Sequence, residues 1–305
     1  MSRYAVIDVG TNSVKFHIAE RTGDGSWRTV VDRAEVTRLG EGLDDSGRLE
    51  PEPIRRTADA IAGMVEEAQR SGIEGIAAVG TAGMRTASNS SELIEAVRER
   101  TGLEIEVIPG EEEARLAFLA VKAALGQTTG SLVVFDTGGG SSQFTFGHDD
   151  RIDERFSVNV GAARFTEQFG LDGAVSEDVL VQAQAGIAAD LGLDGRPSPD
   201  QLVGMGGAVT NIAAVKHELA KYDPGVIQGT VLTAVEVDRQ IELYRTRSAG
   251  ERREIVGLQP NRAEVILAGA CVVRTVMAKL GSDSMTVSDR GLRHGMLVER
   301  FGERS

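Results

Sequence analysis

Hydrophobic and polar positions alternate with two different periods along the chain. Residues 4–10, YAVIDVG, form an apolar run that ends at a glycine, and residues 14–20, VKFHIAE, alternate with period two. Together they predict a β-hairpin. A less regular segment follows to about residue 50. Residues 53–70 then place apolar side chains on one helical stripe, made of Ile54, Ala58, Ile61, Ala62, Val65 and Ala68.

The same alternation of strands and helices continues through the rest of the chain. Short apolar runs predict strands at 76–80, 104–108, 131–136, 202–206 and 284–288. Helical patterns occupy 92–100, with Ser90 and Ser91 as expected caps, and 111–125, 162–169, 177–191, 208–220, 234–247 and 263–280. This order predicts α/β layers with largely buried sheets.

One element occurs twice. VIDVGTNSVKFHI at 6–18 and VVFDTGGGSSQFTF at 133–146 share a skeleton: an apolar run, an aspartate, one residue, a glycine, small polar residues and an alternating strand. The repeat predicts two similar α/β domains, 1–125 and 126–305, joined within 125–130, with the terminal helix free to pack back on the first. Two such domains side by side would leave a central cleft in which the two turns face each other.

Both turns have residues suited to holding phosphate and a cation. An aspartate at a strand end can hold hydrated magnesium, a glycine allows a tight turn, and the following amides can face an anion. A lone turn of this kind is explained by a hairpin, but matched turns in matched halves favour a binding site. A third glycine turn, GMGGAVTN at 204–211, precedes a helix whose N-terminus attracts phosphate. The expected phosphate-binding residues are Gly10, Thr11, Asn12, Ser13, Gly138, Gly139, Gly140, Ser141, Ser142, Gly206 and Gly207.

Charged candidates lie outside these turns. GEEEAR at 110–115 begins a helix with three acids, which also suit the helix dipole. Successive helical residues point about 100° apart, so at most one or two of the three can face a cleft and act on a water molecule. Arg85 follows a strand and can bind phosphate through its guanidinium. Arg290, Arg293 and His294 form a second basic group.

Composition narrows the classes of function. The formal net charge of −13 argues against a general nucleic-acid or membrane surface, and a polyanionic ligand would need a local basic site. The single cysteine, Cys271, lies in an apolar helical pattern and predicts a buried thiol. The four histidines show no metal-ligand spacing, so no zinc site is expected. Without a signal segment or an apolar run of about 18 residues, we expect a cytoplasmic protein.

The motifs together resemble the exopolyphosphatase/guanosine pentaphosphate phosphohydrolase (Ppx/GppA) family of the actin, sugar-kinase and chaperone-ATPase superfamily. They are DVGTNS, GTAGMRTASN, PGEEEARL, DTGGGSS, GMGGAVTN, NRAEVILAGA and VSDRGLRHGML, in order along nearly the whole chain. The resemblance implies duplicated ribonuclease H-like domains flanking a cleft and a requirement for Mg²⁺ or Mn²⁺. It also implies release of terminal phosphate from inorganic polyphosphate, a guanosine alarmone, or both. The ending GLRHGMLVERF is similar to short members that lack the C-terminal helical domains.

The resemblance also assigns roles to residues. The family's catalytic glutamate best matches Glu112, with a margin of one residue, and its arginine after the second-motif strand matches Arg85. The metal-facing aspartates match Asp8 and Asp136. One position departs from the family pattern: Gln143 stands where members usually carry a glutamate. Because an amide is neither a base nor a good magnesium ligand, Gln143 puts the rate and the metal requirement in question.

We therefore expect a magnesium-dependent phosphoanhydride hydrolase that prefers short chains and has polyphosphate or an alarmone as substrate. A homodimer is consistent with the sequence, and neither a nucleic-acid nor a membrane partner is expected. Two rival functions remain open at this point. One is a phosphate-chain or alarmone sensor that turns over slowly because of Gln143, and the other is a phosphotransferase with the same cleft.

Overall fold

The chain divides into two compact units. A computed structural model describes residues 2–23, 27–125, 129–149 and 151–302. The first unit combines Met1–Leu116 with Leu292–Ser305, and the second is Ala117–Gly291. The sequence placed the division at 125/126, whereas the packing divides the chain after Leu116 and returns the terminal helix to the first unit. Part of the expected linker, 126–128, lies outside the described residues.

The first unit is built on a five-stranded mixed sheet. Its strands are β1 (Arg3–Val9), β2 (Ser13–Arg21), β3 (Trp27–Val36), β4 (Gly75–Gly80) and β5 (Ile105–Val107), in the order β3-β2-β1-β4-β5. β1, β2 and β3 pair antiparallel, while β1, β4 and β5 run parallel. The helices are α1 (Leu43–Ser46), α2 (Pro51–Arg70), α3 (Ala82–Thr86), α4 (Ser90–Thr101) and α5 (Gly110–Leu125), the last of which crosses into the second unit.

The second unit is built on a six-stranded mixed sheet in the order β10-β11-β9-β6-β7-β8. Its strands are β6 (Ser131–Thr137), β7 (Ser142–His148), β8 (Arg151–Val158), β9 (Gln201–Met205), β10 (Val231–Thr233) and β11 (Ser284–Val287). Its helices are α6 (Ala162–Phe169), α7 (Glu177–Asp190), α8 (Gly207–Lys216), α9 (Pro224–Ile227), α10 (Ala234–Arg245), α11 (Ala249–Arg252) and α12 (Ile266–Lys279), with a 3₁₀ turn at Pro260–Arg262. The terminal helix, α13 (Leu292–Phe301), belongs to the first unit.

Each sheet is covered by apolar side chains. In the first unit, the buried stripe of α2, including Ile54, Ala58 and Ile61, packs with Ile7 and Phe16 of the sheet. On another part of that unit, α13 contributes Leu292, Met296 and Leu297 to a cluster with Val6 and Ala19. The second unit has the largest cluster, in which the apolar length of α12, including the buried Cys271, packs with Phe135 and Phe144.

The strand orders confirm the duplicated α/β fold. The order β3-β2-β1-β4-β5 in the first sheet corresponds to β8-β7-β6-β9-β11 in the second, to which β10 adds an edge strand. In both sheets a three-stranded antiparallel meander is followed by two further strands, each parallel to its inner neighbour. The repeat in the sequence therefore marks the first hairpin of each copy.

Two local expectations were wrong. Residues 27–36, treated as irregular, form the ten-residue strand β3, whose side chains are exposed or half-buried throughout. An edge strand of this kind has no core-facing apolar alternation to reveal it. Helix α4 begins at Ser90, and its N-cap residue is Asn89 rather than Ser90 or Ser91. The Asn89 side chain bonds the backbone N–H and carbonyl of Leu49 instead of capping the helix.

Within the described residues, no helix has the length and apolar character needed to cross a membrane.

Candidate active site

The first aspartate turn is held by backbone hydrogen bonds at the carboxyl end of β1. The Gly10 N–H donates to the carbonyl of Ser13 at 3.1 Å, which closes the turn between β1 and β2. The backbone N–H of Thr81, just after β4, donates to the Val9 carbonyl at 3.1 Å. Because β1 and β4 are parallel, their carboxyl ends meet at one edge of the sheet. The turn Gly10–Ser13 therefore lies at the edge where open α/β sheets bind ligands.

Asp8 is buried and paired with a cation. Asp8 and Lys15 are register partners across the hairpin, and Lys15 Nζ donates to Asp8 Oδ2 at 3.0 Å. The Asp8 side chain is 2% exposed and that of Lys15 is 24% exposed. The lysine offsets part of the charge that would attract a metal ion to Asp8.

Arg85 and Glu113 meet at the same sheet edge. Arg85 lies on α3 after β4, and Glu113 lies in the first turn of α5 after β5. Arg85 Nη1 donates to Glu113 Oε1 and, at 2.9 Å, to the Ile108 carbonyl. Gly80 and Val107 are register partners at the ends of the two strands. The structure therefore brings a buried carboxylate and a guanidinium to the end of the sheet that carries the first turn.

Glu112 lies in a different environment. It is half-buried and accepts two bonds from Arg115, at 2.9 and 2.7 Å, and Arg115 also bonds Glu299. Glu111 is exposed. Of the three consecutive acids, Glu113 is the one buried beside Arg85. Within the one-residue margin of the sequence match, the geometry favours Glu113 over Glu112.

The second aspartate turn repeats the first. The Gly138 N–H donates to the Ser141 carbonyl at 2.9 Å, the counterpart of the Gly10–Ser13 bond. The carbonyls of Gly138 and Gly139 accept the N–H groups of Ala162 and Ala163 at the start of α6. Ser142 Oγ lies 3.2 Å from Thr137 Oγ1 and donates to the Val160 carbonyl at 2.6 Å. The turn is thus fixed on both sides, although the Ser142 hydroxyl is used within the protein.

Gln143 occupies the position in the second hairpin that Lys15 occupies in the first. It is the register partner of Asp136 and is buried. Its Nε2 donates to Ser141 Oγ at 2.6 Å and to Ser157 Oγ at 3.2 Å. The charge of Asp136 is therefore not balanced by its hairpin neighbour, in contrast to Asp8.

The carboxylate of Asp136 lies between glycines from two other loops. Gly206 has φ +96, and a Cβ there would lie 2.5 Å from Asp136 Oδ1, while one on Gly291 would lie 3.6 Å from Oδ2. Any side chain at Gly206 would meet this carboxylate as well as an unfavourable backbone conformation. A carboxylate with a neutral hairpin partner and glycine neighbours suits a hydrated divalent cation.

The third glycine turn begins helix α8 and contacts an arginine that the sequence analysis did not assign. A Cβ on Gly207 would lie 2.9 Å from Cζ of Arg262, which follows β9 and α8 in the same unit. Arg262 thus brings a guanidinium to the N-terminus of α8, where backbone N–H groups also favour anions. The only feature of the sequence that could have indicated this role is the position of Arg262 in the NRAEV motif.

A second unassigned arginine lies beside the first turn. The Arg38 backbone N–H donates to the Asn12 carbonyl at 3.0 Å, and Arg38 has φ 49, in the left-handed region. Non-glycine residues adopt this conformation at a cost, and such residues cluster at functional sites. Arg38 is therefore a further candidate for the first turn.

The second basic group predicted at 290–294 is divided between the two units. Arg293 donates two bonds to Asp32, at 2.7 and 2.9 Å, and His294 Nε2 lies 3.5 Å from the same carboxylate. Arg290 belongs to the second unit, where its backbone N–H donates to Ser288 Oγ at 3.2 Å. The charge of Arg293 is therefore paired with that of Asp32 within the first unit.

Comparison with known proteins identifies the family. Residues 18–303 match the Ppx/GppA phosphatase family. The chain belongs to this family. The predicted Ppx/GppA membership is thus confirmed, and so is the predicted class of enzyme, a phosphoanhydride hydrolase.

Individual relatives of this Ppx/GppA chain span its whole length. It is 31% identical to the Ppx/GppA protein of Aquifex aeolicus, whose solved structure has a TM-score of 0.82 over 98% of this chain and 97% of that one. It is 27% identical to exopolyphosphatase 1 of Mycobacterium tuberculosis, over 98% of this chain and 88% of that protein. It is 29% identical to a bifunctional 3-dehydroquinate synthase/phosphatase of Fusobacterium nucleatum, over 97% of this chain. The chain spans 46% of that longer protein.

Proposed function

We propose that this chain is a magnesium-dependent hydrolase that releases terminal phosphate from inorganic polyphosphate. The observation that carries the proposal is the pair of matched turns, Gly10–Ser13 and Gly138–Ser141, each closed by the same backbone bond and each preceded by a buried aspartate. The kinship to proteins named exopolyphosphatases supports polyphosphate as the substrate class.

In this mechanism the first unit supplies the group that acts on water. The Glu113 carboxylate holds the attacking water and accepts its proton, and the guanidinium of Arg85 fixes that carboxylate through their hydrogen bond. Burial of Glu113 limits competition from bulk solvent. The backbone N–H groups of the Gly10–Ser13 turn, other than that of Gly10 itself, and the charge of Arg85 stabilise negative charge on phosphoryl oxygens.

The second unit supplies the remaining phosphate contacts and the metal ligand. The amides of the Gly138–Ser142 turn other than that of Gly138, and those of Gly206 and Gly207, would hold phosphate, and Asp136 would hold the ion through its carboxylate. When bound, Mg²⁺ neutralises phosphate charge and so favours attack on the terminal phosphoryl group. Asp8 contributes less to ion binding in this proposal, because Lys15 balances its charge.

The preferred length of substrate follows from charge. A net charge of −13 repels the trailing part of a long polyanion, so we expect short polyphosphate to be the better substrate and release to be distributive. The same charge disfavours a nucleic-acid partner. A guanosine pentaphosphate alarmone remains an alternative substrate, and we expect the activity to be cytoplasmic.

Gln143 favours a second candidate, a phosphate-chain sensor with slow turnover. Its amide leaves the neighbourhood of Asp136 with one carboxylate fewer than the family pattern provides. Such a protein would bind short polyphosphate but release little phosphate from it.

One experiment separates these functions. Phosphate release is measured side by side on short polyphosphate, long polyphosphate and guanosine pentaphosphate, with Mg²⁺ and with chelator. The proposal expects catalytic release that needs Mg²⁺ and is fastest on short polyphosphate. Binding of polyphosphate without release of phosphate would identify a sensor. Release of phosphate from guanosine pentaphosphate alone would show that polyphosphate is not the substrate.

A further inference from the structure

Three potential metal ligands from separate parts of the first unit converge on one point. His17 on β2 and Asp32 on β3 are register partners in the sheet, and His294 is brought beside them by α13. The two imidazole rings have centroids 4.6 Å apart. A ring nitrogen of His17, a carboxylate oxygen of Asp32 and a ring nitrogen of His294 all lie within 4.8 Å of one another.

The two distances from the histidines to Asp32 suit an ion better than direct hydrogen bonds. His17 Nδ1 lies 3.6 Å from Asp32 Oδ2, and His294 Nε2 lies 3.5 Å from the same oxygen. Good hydrogen bonds between such groups measure about 2.7–3.2 Å. A tetrahedral zinc ion with bonds of about 2.0–2.1 Å holds its ligand atoms about 3.4 Å apart. These two separations are close to that edge length, and the two imidazole nitrogens lie within 4.8 Å of each other.

The buried atom of His17 supplies an independent observation. The His17 side chain is 1% exposed, and its Nδ1 has no hydrogen-bond partner among the residues that the structure describes. A buried polar atom without a partner destabilises the folded state. A bound cation would use the lone pair of this nitrogen and remove that destabilisation.

Arg293 fixes the carboxylate that the ion would share. Its two bonds to Asp32 hold the side chain in one orientation and keep it ionised. Metal-ligating carboxylates are commonly held by a second hydrogen-bonding group in this way. Repulsion between the guanidinium and the ion lowers affinity, so we expect a weaker site than one made of thiolates.

We propose that His17, Asp32 and His294 form a site for a divalent transition-metal ion of the zinc class, separate from the magnesium site of the reaction. Two imidazoles and one carboxylate suit Zn²⁺ or Co²⁺, whereas Mg²⁺ prefers oxygen ligands. Water completes the tetrahedron. The ion connects β2 and β3 to α13, and thereby fastens the terminal helix to the first sheet.

The test uses Co²⁺ as a coloured substitute for Zn²⁺ on the full-length, metal-stripped chain. One equivalent of Co²⁺ per chain should produce visible d–d absorption with the intensity typical of four-coordinate cobalt. Added Zn²⁺ should abolish this absorption, whereas excess Mg²⁺ should not. His294→Gln and His17→Gln should each weaken binding by at least about tenfold, as changes around metal sites do. His217→Gln, a histidine of the second unit whose ring bonds Thr230, is the matched control and should bind normally.

Two further measurements keep the proposal falsifiable if a histidine variant folds poorly. X-ray absorption of the Zn²⁺-loaded wild type should show imidazole nitrogen at about 2.0–2.1 Å. Zn²⁺ should also raise the melting temperature of the wild type but not of His294→Gln. Absence of a bound equivalent in the wild type, an all-oxygen shell, or equal binding by His294→Gln would each overturn the site.

Discussion

Lys15 Nζ lies 3.0 Å from Asp8 Oδ2, at the hairpin position where the second unit places Gln143 opposite Asp136. The duplicated turn is therefore conserved within the chain in shape but not in charge. Asp8 has a lysine as its hairpin partner, and Asp136 has a neutral glutamine. We therefore expect Asp136 to contribute more to ion binding than Asp8, although the two occupy equivalent positions in the sequence pattern.

The first prediction concerns these two aspartates. Asp136→Asn should raise the magnesium concentration needed for half-maximal phosphate release much more than Asp8→Asn, because the lysine already balances Asp8. A magnesium titration of both variants and the wild type measures this. Equal shifts, or a larger one for Asp8→Asn, would contradict the assignment.

The second prediction concerns the three consecutive acids of α5. Glu113→Gln should lower the turnover number by about 10²–10⁴-fold, the usual contribution of general acid–base catalysis. Glu112→Gln and Glu111→Gln are the controls. Glu112 is engaged by Arg115 and Glu111 is exposed, so both variants should keep most of the activity. If Glu112→Gln instead causes the largest loss of turnover, Glu112 is the catalytic glutamate, as the sequence match indicated.

The third prediction concerns the departure from the family pattern. Gln143→Glu adds a carboxylate beside Asp136 and should lower the magnesium concentration needed for half-maximal activity. The glutamate cannot donate to Ser141 and Ser157, but both hydroxyls can turn to donate to it. Superimposable magnesium curves for variant and wild type would mean that Gln143 is neutral in an already complete site. Lower activity would mean that the site requires a neutral group.

The fourth prediction concerns stability. Arg252 is fully buried and donates to the carbonyls of Tyr244, Leu171, Ala263 and Gly173. Arg252→Met leaves these acceptors without that donor, at about 1–3 kcal/mol for each one that stays unsatisfied. Chemical denaturation should show a loss of about 3 kcal/mol or more. Arg253→Met, at the adjacent exposed position paired with Glu264, should change the free energy of unfolding by no more than about 0.5 kcal/mol.

The sequence predicted what is encoded locally. The Asp–x–Gly–x–x–Ser skeleton specifies its own turn, because the bond from Gly10 to Ser13 spans three residues and recurs from Gly138 to Ser141. The apolar stripe of α2 likewise predicted its buried face, except for Ala62, which is half-buried. These features depend on neighbours in sequence, and so a pattern can reveal them.

Features that depend on distant contacts were not predicted. Asp32 and Arg293 are 261 residues apart, and no spacing rule for metal ligands or basic patches could bring them together. The choice between Glu112 and Glu113 required the direction of the first turn of α5 relative to Arg85. Strand β3 was missed because its outer position in the sheet leaves it polar.

The central claim is that water attacks a terminal phosphoryl group of polyphosphate. The most direct test is to run the Mg²⁺-dependent reaction on short polyphosphate in ¹⁸O-labelled water and to analyse the first released phosphate by mass spectrometry. The account predicts one solvent oxygen in each phosphate released. Glu113→Gln should slow the release of labelled phosphate by the same factor by which it lowers the turnover number. Phosphate that appears only on an added acceptor, without solvent oxygen, or no release at all from a chain that binds polyphosphate, would contradict it.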